Sequence, residues 1–252
     1  MGQQNDLASQ PMSKGKWPKL RPQLTEEQIR IMEDWYQHWL QEMPDKFGWI
    51  DRFGHEYPMR DGAQGAVSLE IGAGIGGHLG YEPHGGGEEY VALEMRQDLA
   101  DAMAKAHPWA RIIVGDCEAR VDYPDGHFDR ALAIHVLEHL GNLPAALKEI
   151  RRVLKPGGHF YVVIPCEGGL GYSLGRALTT ARKFTKRYGV PYEWMISYDH
   201  VSQPDEILAE LRKLFHVSHR TYFPLRVPSV DLNLVIGLTC TPLAEPGTPA
   251  PR

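Results

Sequence analysis

Between residues 67 and 165 the chain alternates short apolar runs with stretches of helical character, and this alternation restricts the fold more than any other feature. The runs are VSLEI, YVALE, RIIVG, DRALAI and HFYVVIP, and the segments around 97–106 and 142–154 carry the spacing of amphipathic helices. Strands that alternate with helices form a parallel sheet covered on both faces. In an open sheet of this kind, ligands bind beyond the carboxyl ends of the strands. The positions to inspect are therefore 70–77, Glu94, 115–117, 134–139 and 165–169.

The first of these strand ends opens into LEIGAGIGGHL, residues 69–79. Gly72, Gly74 and Gly77 satisfy G-x-G-x-x-G, and Glu94 lies near the spacing of a ribose-binding acid, so a nicotinamide dinucleotide is the first ligand to test. Two observations speak against it. None of the tyrosines is followed four residues later by lysine, the pair a short-chain dehydrogenase needs. About two helical turns fit between Gly77 and Pro83, ahead of the GGG run at 85–87, and that is short for a glycine-packed dinucleotide helix.

Five pieces in order, LEIGAGIGG (69–77), VALE ending in Glu94, VGDCE (114–118), FDRALAIHVLEHL (128–140) and LKPGGHFYVVIP (154–165), resemble the class I S-adenosylmethionine-dependent methyltransferases, in particular their small-molecule branch. The resemblance implies an α/β fold: a doubly wound, mostly parallel seven-stranded sheet of Rossmann-like form. An N-terminal helical extension and an insertion after the fifth strand would be added to it. It also implies S-adenosylmethionine as cofactor. By the family pattern, Gly72, Ala73, Gly74 and Gly76 carry the backbone against the methionine end of the cofactor, and Glu70 orients its amino acid portion directly or through water. Glu94 accepts both ribose hydroxyl protons, Asp116 accepts the adenine amino proton with Cys117 beside it, and His135 lines the methionine pocket. The chemistry is consistent: glycine lets a backbone turn tightly and approach a ligand, and a carboxylate takes two hydroxyls at once. The LKPGG turn, with Pro156 ending a helix, marks the family without touching the reaction.

Methyl transfer is an in-line displacement with a neutral leaving group, so proximity and alignment dominate. A hydroxyl acceptor adds the need for a base, and histidine suits neutral pH. His139 and His200 are the candidates. Residues 166–200, holding Tyr172, Arg176, Arg182, Lys183, Lys186, Arg187, Tyr188, Tyr192 and Trp194, would cover the site together with parts of 44–60. Their basic and aromatic content suits an anionic acceptor or a sugar ring, such as a hydroxyl of a sugar, a glycan precursor or another metabolite. Oxygen, nitrogen and carbon acceptors, and assistance by a divalent metal, stay open at this point.

Two readings of other classes stand beside this one. His135, Glu138 and His139 spell H-x-x-E-H, the metal string of inverted zinc peptidases, which would make the chain a zinc-dependent hydrolase. Because DRALAI reads as a strand, the two histidines are expected to diverge, and no metal is expected. A non-catalytic, cofactor-binding interaction domain is the other class. The intact glycine loop and Glu94 argue against it.

The flanks complete the organisation. Thr25 and Gln28 form a capping box, with Leu24 and Ile29 placed for a hydrophobic staple. Ile29, Met32, Trp35, Tyr36, Trp39, Leu40 and Met43 then share a helical face expected to pack against the main domain. The expected divisions are tails at 1–23 and 243–252, a helix and irregular cover at 24–66, and the methyltransferase domain at 67–242. A net charge of -5 gives no electrostatic pull toward nucleic acid. No run of about 18 apolar residues and no secretory leader is present, so a cytoplasmic protein without a membrane span is expected. Cys117, Cys166 and Cys240 form no C-x-x-C pair and are read as reduced. The expected partner is a small-molecule acceptor, and a homodimer is compatible with this reading.

Overall fold

The computed structural model describes residues 14–46, 48–62, 66–84 and 89–244, the side chains of 40–46 excepted. Seven strands are present: β1 (Ser68–Ile71), β2 (Tyr90–Glu94), β3 (Arg111–Val114), β4 (Phe128–Ile134), β5 (Leu154–Pro165), β6 (Phe215–Phe223) and β7 (Val235–Pro242). Eight α-helices are described: α1 (Glu26–Lys46), α2 (Gly48–Glu56), α3 (Gln97–Ala106), α4 (Leu143–Val153), α5 (Leu170–Arg176), α6 (Arg182–Tyr188), α7 (Glu193–Asp199) and α8 (Pro204–Leu214). A π-helical turn, Ala177–Ala181, joins α5 to α6. The strand order is β3-β2-β1-β4-β5-β7-β6. β1 to β5 pair in parallel, and β7 runs antiparallel between β5 and β6, as the doubly wound family topology implies.

Side-chain alternation distributes the sheet between two layers. Leu69, Ile71, Ala131, Ala133, Val162 and Ile164 join the large core that also contains Leu147 and Ile150 of α4 and Ile207 and Leu211 of α8. Tyr90 and Ala92 pack with Leu79 and with Met103 of α3, while Tyr161, Val163 and Val235 meet Tyr57 in the 3₁₀ turn Tyr57–Asp61. Burying each leucine, isoleucine, valine or methionine among these contributes ~1.5–3 kcal/mol.

Three expectations change. Residues 48–61, read as irregular, are helical: α2 and the 3₁₀ turn run without a break, braced by Arg52 and Glu56 one turn apart. α1 runs past Met43, where the apolar face read from the sequence ends, through Pro44 to Lys46. The Trp35 face of α1 packs on the insertion rather than on the sheet, since Trp35 is buried with Phe184, Tyr192, Met195 and Ile196. Its start is as read, with Thr25 and Gln28 bonding reciprocally, whereas Ile29 is exposed.

The expected N-terminal tail is also divided. Residues 1–13 lie outside the described residues, but 14–21 form a strap along the start of α8. Lys19, only 2% exposed in its side chain, donates to both carboxylate oxygens of Glu206 at 2.8 Å and to the Val201 carbonyl, and its own N–H bonds the Gly141 carbonyl. Of the expected C-terminal tail, 245–252 lie outside the described residues. Asn233 is fully buried just before β7 and ties down the preceding loop through the Leu225 N–H and the carbonyls of Val227 and Ser229.

Candidate active site

The glycine loop leaves β1 at Gly72 and turns through three left-handed positions, Gly72 (φ 65°), Gly74 (φ 59°) and Gly76 (φ 83°). The three glycines have different reasons. A Cβ on Gly72 would sit 2.7 Å from a Val136 methyl, and one on Gly76 would sit 2.9 Å from Met103 Cγ, so both are required by packing. Among the described residues nothing lies within 4 Å of a Cβ on Gly74, which faces open space. The Gly72 and Ala73 N–H groups bond the Leu93 carbonyl at the end of β2. Gly74 N–H donates to Glu94 Oε2 at 2.9 Å, and the Arg96 N–H donates to Oε1 at 2.9 Å.

Glu94 is thus buried and held at the strand end by backbone donors, and each oxygen keeps a lone pair for a further donor. Ile75 and Met95 flank it as exposed apolar side chains, Met95 at 67%. Ile75 lies within the loop singled out in the sequence, whereas Met95 was not named; an apolar residue directly after a strand-end acid was the available signal. At the end of β3, Asp116 accepts the Glu118 N–H and shapes the turn. Cys117 is buried, and burial pushes its thiol up to about 12, so it serves as a neutral wall.

Glu70 is not in this cleft. Its carboxylate is buried on the sheet face and accepts the Tyr90 hydroxyl at 2.8 Å. Burial, opposed by that hydrogen bond, raises it to about 8. Beside it Arg130 donates to Ser68 Oγ and pairs with Glu82, which also bonds His78. The group holds the 3₁₀ turn Gly77–Tyr81 onto the sheet, so Glu70 supports the loop from beneath.

β4 ends at His135, a non-glycine residue in the left-handed region (φ 54°), a conformation that side chains seldom adopt. Its ring faces α2 near Gly54, with Nδ1 3.5 Å from Glu138 Oε1. Of the H-x-x-E-H string, His135 faces Glu138 and does not join the group that Glu138 and His139 form. A different partner takes that place. His139 and His200, which ends α7, stand edge to face with centroids 4.8 Å apart.

Carboxylates fix both rings. His139 Nδ1 is 3.3 Å from Asp199 Oδ1 and 3.2 Å from the Asp199 carbonyl. His200 Nδ1 bonds Glu167, whose other oxygen pairs with Arg176. Burial lowers the affinity of His139 for a proton, but Asp199 outweighs it and lifts the imidazole to about 9. Burial likewise pushes Asp199 up, yet His139 and His200 carry it down to about 2. Arg21, in the N-terminal strap, reaches the carbonyls of His139 and Tyr198 and ties the two loops together.

The roof comes from both appended segments. Trp35 of α1 meets Phe184 and Tyr192 edge-on, Asp34 pairs with Arg187, and Tyr36 lies 4.8 Å under the Arg96 guanidinium at the end of β2. α2 places His55 against Gly77 and stacks Phe53 on Phe223. Arg182, Lys186 and Arg187 are exposed, so the insertion does not turn that basic face inward, and Arg176 is already matched by Glu167.

Comparison with known proteins places this geometry. Residues 69–162 match the family model described as a methyltransferase domain. Residues 69–162 thus carry a methyltransferase domain, with the strand order and glycine loop of the class I S-adenosylmethionine-dependent fold. Within it, 100 residues are 34% identical to sterol 4-C-methyltransferase of Caenorhabditis elegans, covering 37% of this chain and 29% of that protein. Another 111-residue match is 32% identical to chloroplastic tocopherol O-methyltransferase of Arabidopsis thaliana, covering 40% and 31%. The match thus spans about a third of these curated relatives. Among solved structures, a TehB-like methyltransferase from Corynebacterium glutamicum superposes with a TM-score of 0.55 at 18% identity, over 85% of this chain and 100% of that one. The [4+2]-cyclase SpnF superposes with a TM-score of 0.58 at 17% identity, over 76% and 80%. At such identities these likenesses show the fold alone.

The residues of the methyltransferase domain fit the cofactor that the family implies. Gly74 leaves an open cradle where a Cβ would stand, Glu94 offers two oriented acceptors, and Ile75 with Met95 offers apolar surface to a flat base. Among the described residues no helix is long and apolar enough to cross a membrane.

Proposed function

We propose that this chain transfers a methyl group from S-adenosylmethionine to an oxygen of a small-molecule acceptor, a hydroxyl of a sugar or related metabolite being the best fit. The observation that carries the reading is the Glu167–His200 pair lying beside His139 in the turn that follows Val136, against which Gly72 packs. In this reading Gly74 and Glu94 hold the ribose side of the cofactor, Asp116 and Cys117 border its base, and His135 borders the methionine side. The cofactor supplies an electrophilic methyl group. His200 keeps its Nδ1–H on Glu167, which leaves Nε2 as the proton acceptor for the hydroxyl. The α1 and α5–α7 cover excludes water from the methyl group. The turning outward of Arg182, Lys186 and Arg187 favours a neutral acceptor over an anionic one.

The test uses methyl-labelled S-adenosylmethionine with a low-mass metabolite extract. Label should pass to a low-mass product, and His200→Ala should slow its formation by about 10²- to 10⁴-fold while cofactor affinity is kept. Label that never leaves the donor, or a His200→Ala rate equal to wild type, would contradict the proposal.

A further inference from the structure

We propose that Glu138, His139 and His200 form a binding site for one divalent transition-metal ion. One ligand atom from each lies within 4.8 Å of the others, a spacing that a single ion can bridge. Glu138 is 1% exposed, and its Oε2 is buried with no hydrogen-bond partner among the described residues, although Oε1 faces His135 at 3.5 Å. A buried carboxylate oxygen left without a donor is costly, and a cation satisfies it.

The surroundings of the two histidines carry the inference further. Imidazoles that bind metal usually donate their second nitrogen to a carboxylate or a carbonyl, which fixes the ring. Here His200 Nδ1 is held by Glu167, and His139 Nδ1 by the carboxylate and carbonyl of Asp199. Each ring is left with Nε2 for the ion. Charge points the same way. Three carboxylates, Glu138, Glu167 and Asp199, converge around the pair, and Arg176 is bonded to Glu167 alone. Two imidazoles and one carboxylate suit first-row divalent ions and leave coordination positions open, whereas Mg²⁺ favours oxygen.

The part such an ion plays rests on the methyl-transfer reading; its binding does not. An acceptor hydroxyl on the ion becomes more acidic and gives its proton to water. The oxygen then bonds to the methyl carbon as the carbon–sulfur bond breaks, and sulfur leaves as a neutral thioether. With the ion in place His200 is a ligand, and coordination takes over the deprotonation assigned to it above.

The test titrates the chelator-treated full chain with Mn²⁺ at mildly alkaline pH, since a ligand imidazole must be neutral. One saturable site per chain is expected, with affinity reduced at least about tenfold in both Glu138→Gln and His200→Asn. No saturable site in the wild type, or unchanged affinity in both folded variants, overturns the proposal. Pulsed electron paramagnetic resonance on the Mn²⁺-loaded wild type decides independently of whether those variants fold. Coupling to two imidazole nitrogens is expected, and its absence overturns the site. Titration of the same sample with S-adenosylhomocysteine separates the two claims, because metal binding without cofactor binding would sink the methyl-transfer reading and leave the ion site standing.

Discussion

The cofactor cleft and the acceptor end of this domain are assembled in different ways. In the cleft, the Gly74 backbone N–H donates to the Glu94 carboxylate at the ends of adjacent strands, and the loop is locked by Val136 and Met103 beneath it. At the acceptor end, His139 follows β4, Glu167 follows β5, His200 ends α7, and the strap containing Lys19 and Arg21 holds them together from the far N-terminus. The sheet enforces the first region; side-chain bonds between distant segments enforce the second. The second should therefore be the more easily disrupted.

Removing the strap is the largest single blow to that difference. Lys19→Ala leaves Glu206 buried without its counter-ion, and loss of one partner of a buried pair costs about 3–5 kcal/mol. Thermal unfolding should show Tm lowered by roughly 6–20 °C. The apolar double substitution Lys19→Met with Glu206→Leu should recover much of the loss. A single-variant loss below about 1 kcal/mol would mean that the strap is not what joins the two loops.

What could be read in the sequence follows the same division. The alternation of strands and helices, the glycine loop and the strand-end position of Glu94 were legible because their determinants are local: apolar periodicity, backbone conformation and an acid after an apolar run. Even there packing stayed hidden, since nothing in the string distinguishes Gly74, open to the cleft, from Gly72 and Gly76, closed by neighbouring side chains. The bond from Tyr90 to Glu70 was not legible, because a family pattern names a position and not the partners of its side chain. His139 and His200 were singled out one by one, but their meeting, and the part played by Glu167, depend on a long-range contact with no periodic signal. The strap residues are short of apolar positions and so read as a tail, although an ion pair and backbone bonds order them.

A smaller effect tests the supporting layer of the cleft. Glu70, packed among Tyr90, Glu82, Arg130 and Glu94, titrates near 8 in the folded chain and near 4.5 when exposed. Between those values the folded state holds a proton that the unfolded state has lost, so this group lowers stability as pH rises, by up to about 1.4 kcal/mol per pH unit. Glu70→Gln should remove that slope, and its Tm advantage over wild type should widen as pH rises through this window. Parallel pH profiles would show that Glu70 ionises freely in the fold.

Calorimetric titration of S-adenosylhomocysteine into wild type, Glu94→Ala and His200→Ala tests the separation of the two regions most directly. Loss of charge-assisted hydrogen bonds should cost Glu94→Ala ~1.5–3 kcal/mol, or about 10- to 150-fold in Kd, while His200→Ala binds within about twofold of wild type and NAD gives no heat. Unchanged affinity in Glu94→Ala, or tight binding of NAD in place of the methyl-donor product, would contradict the account.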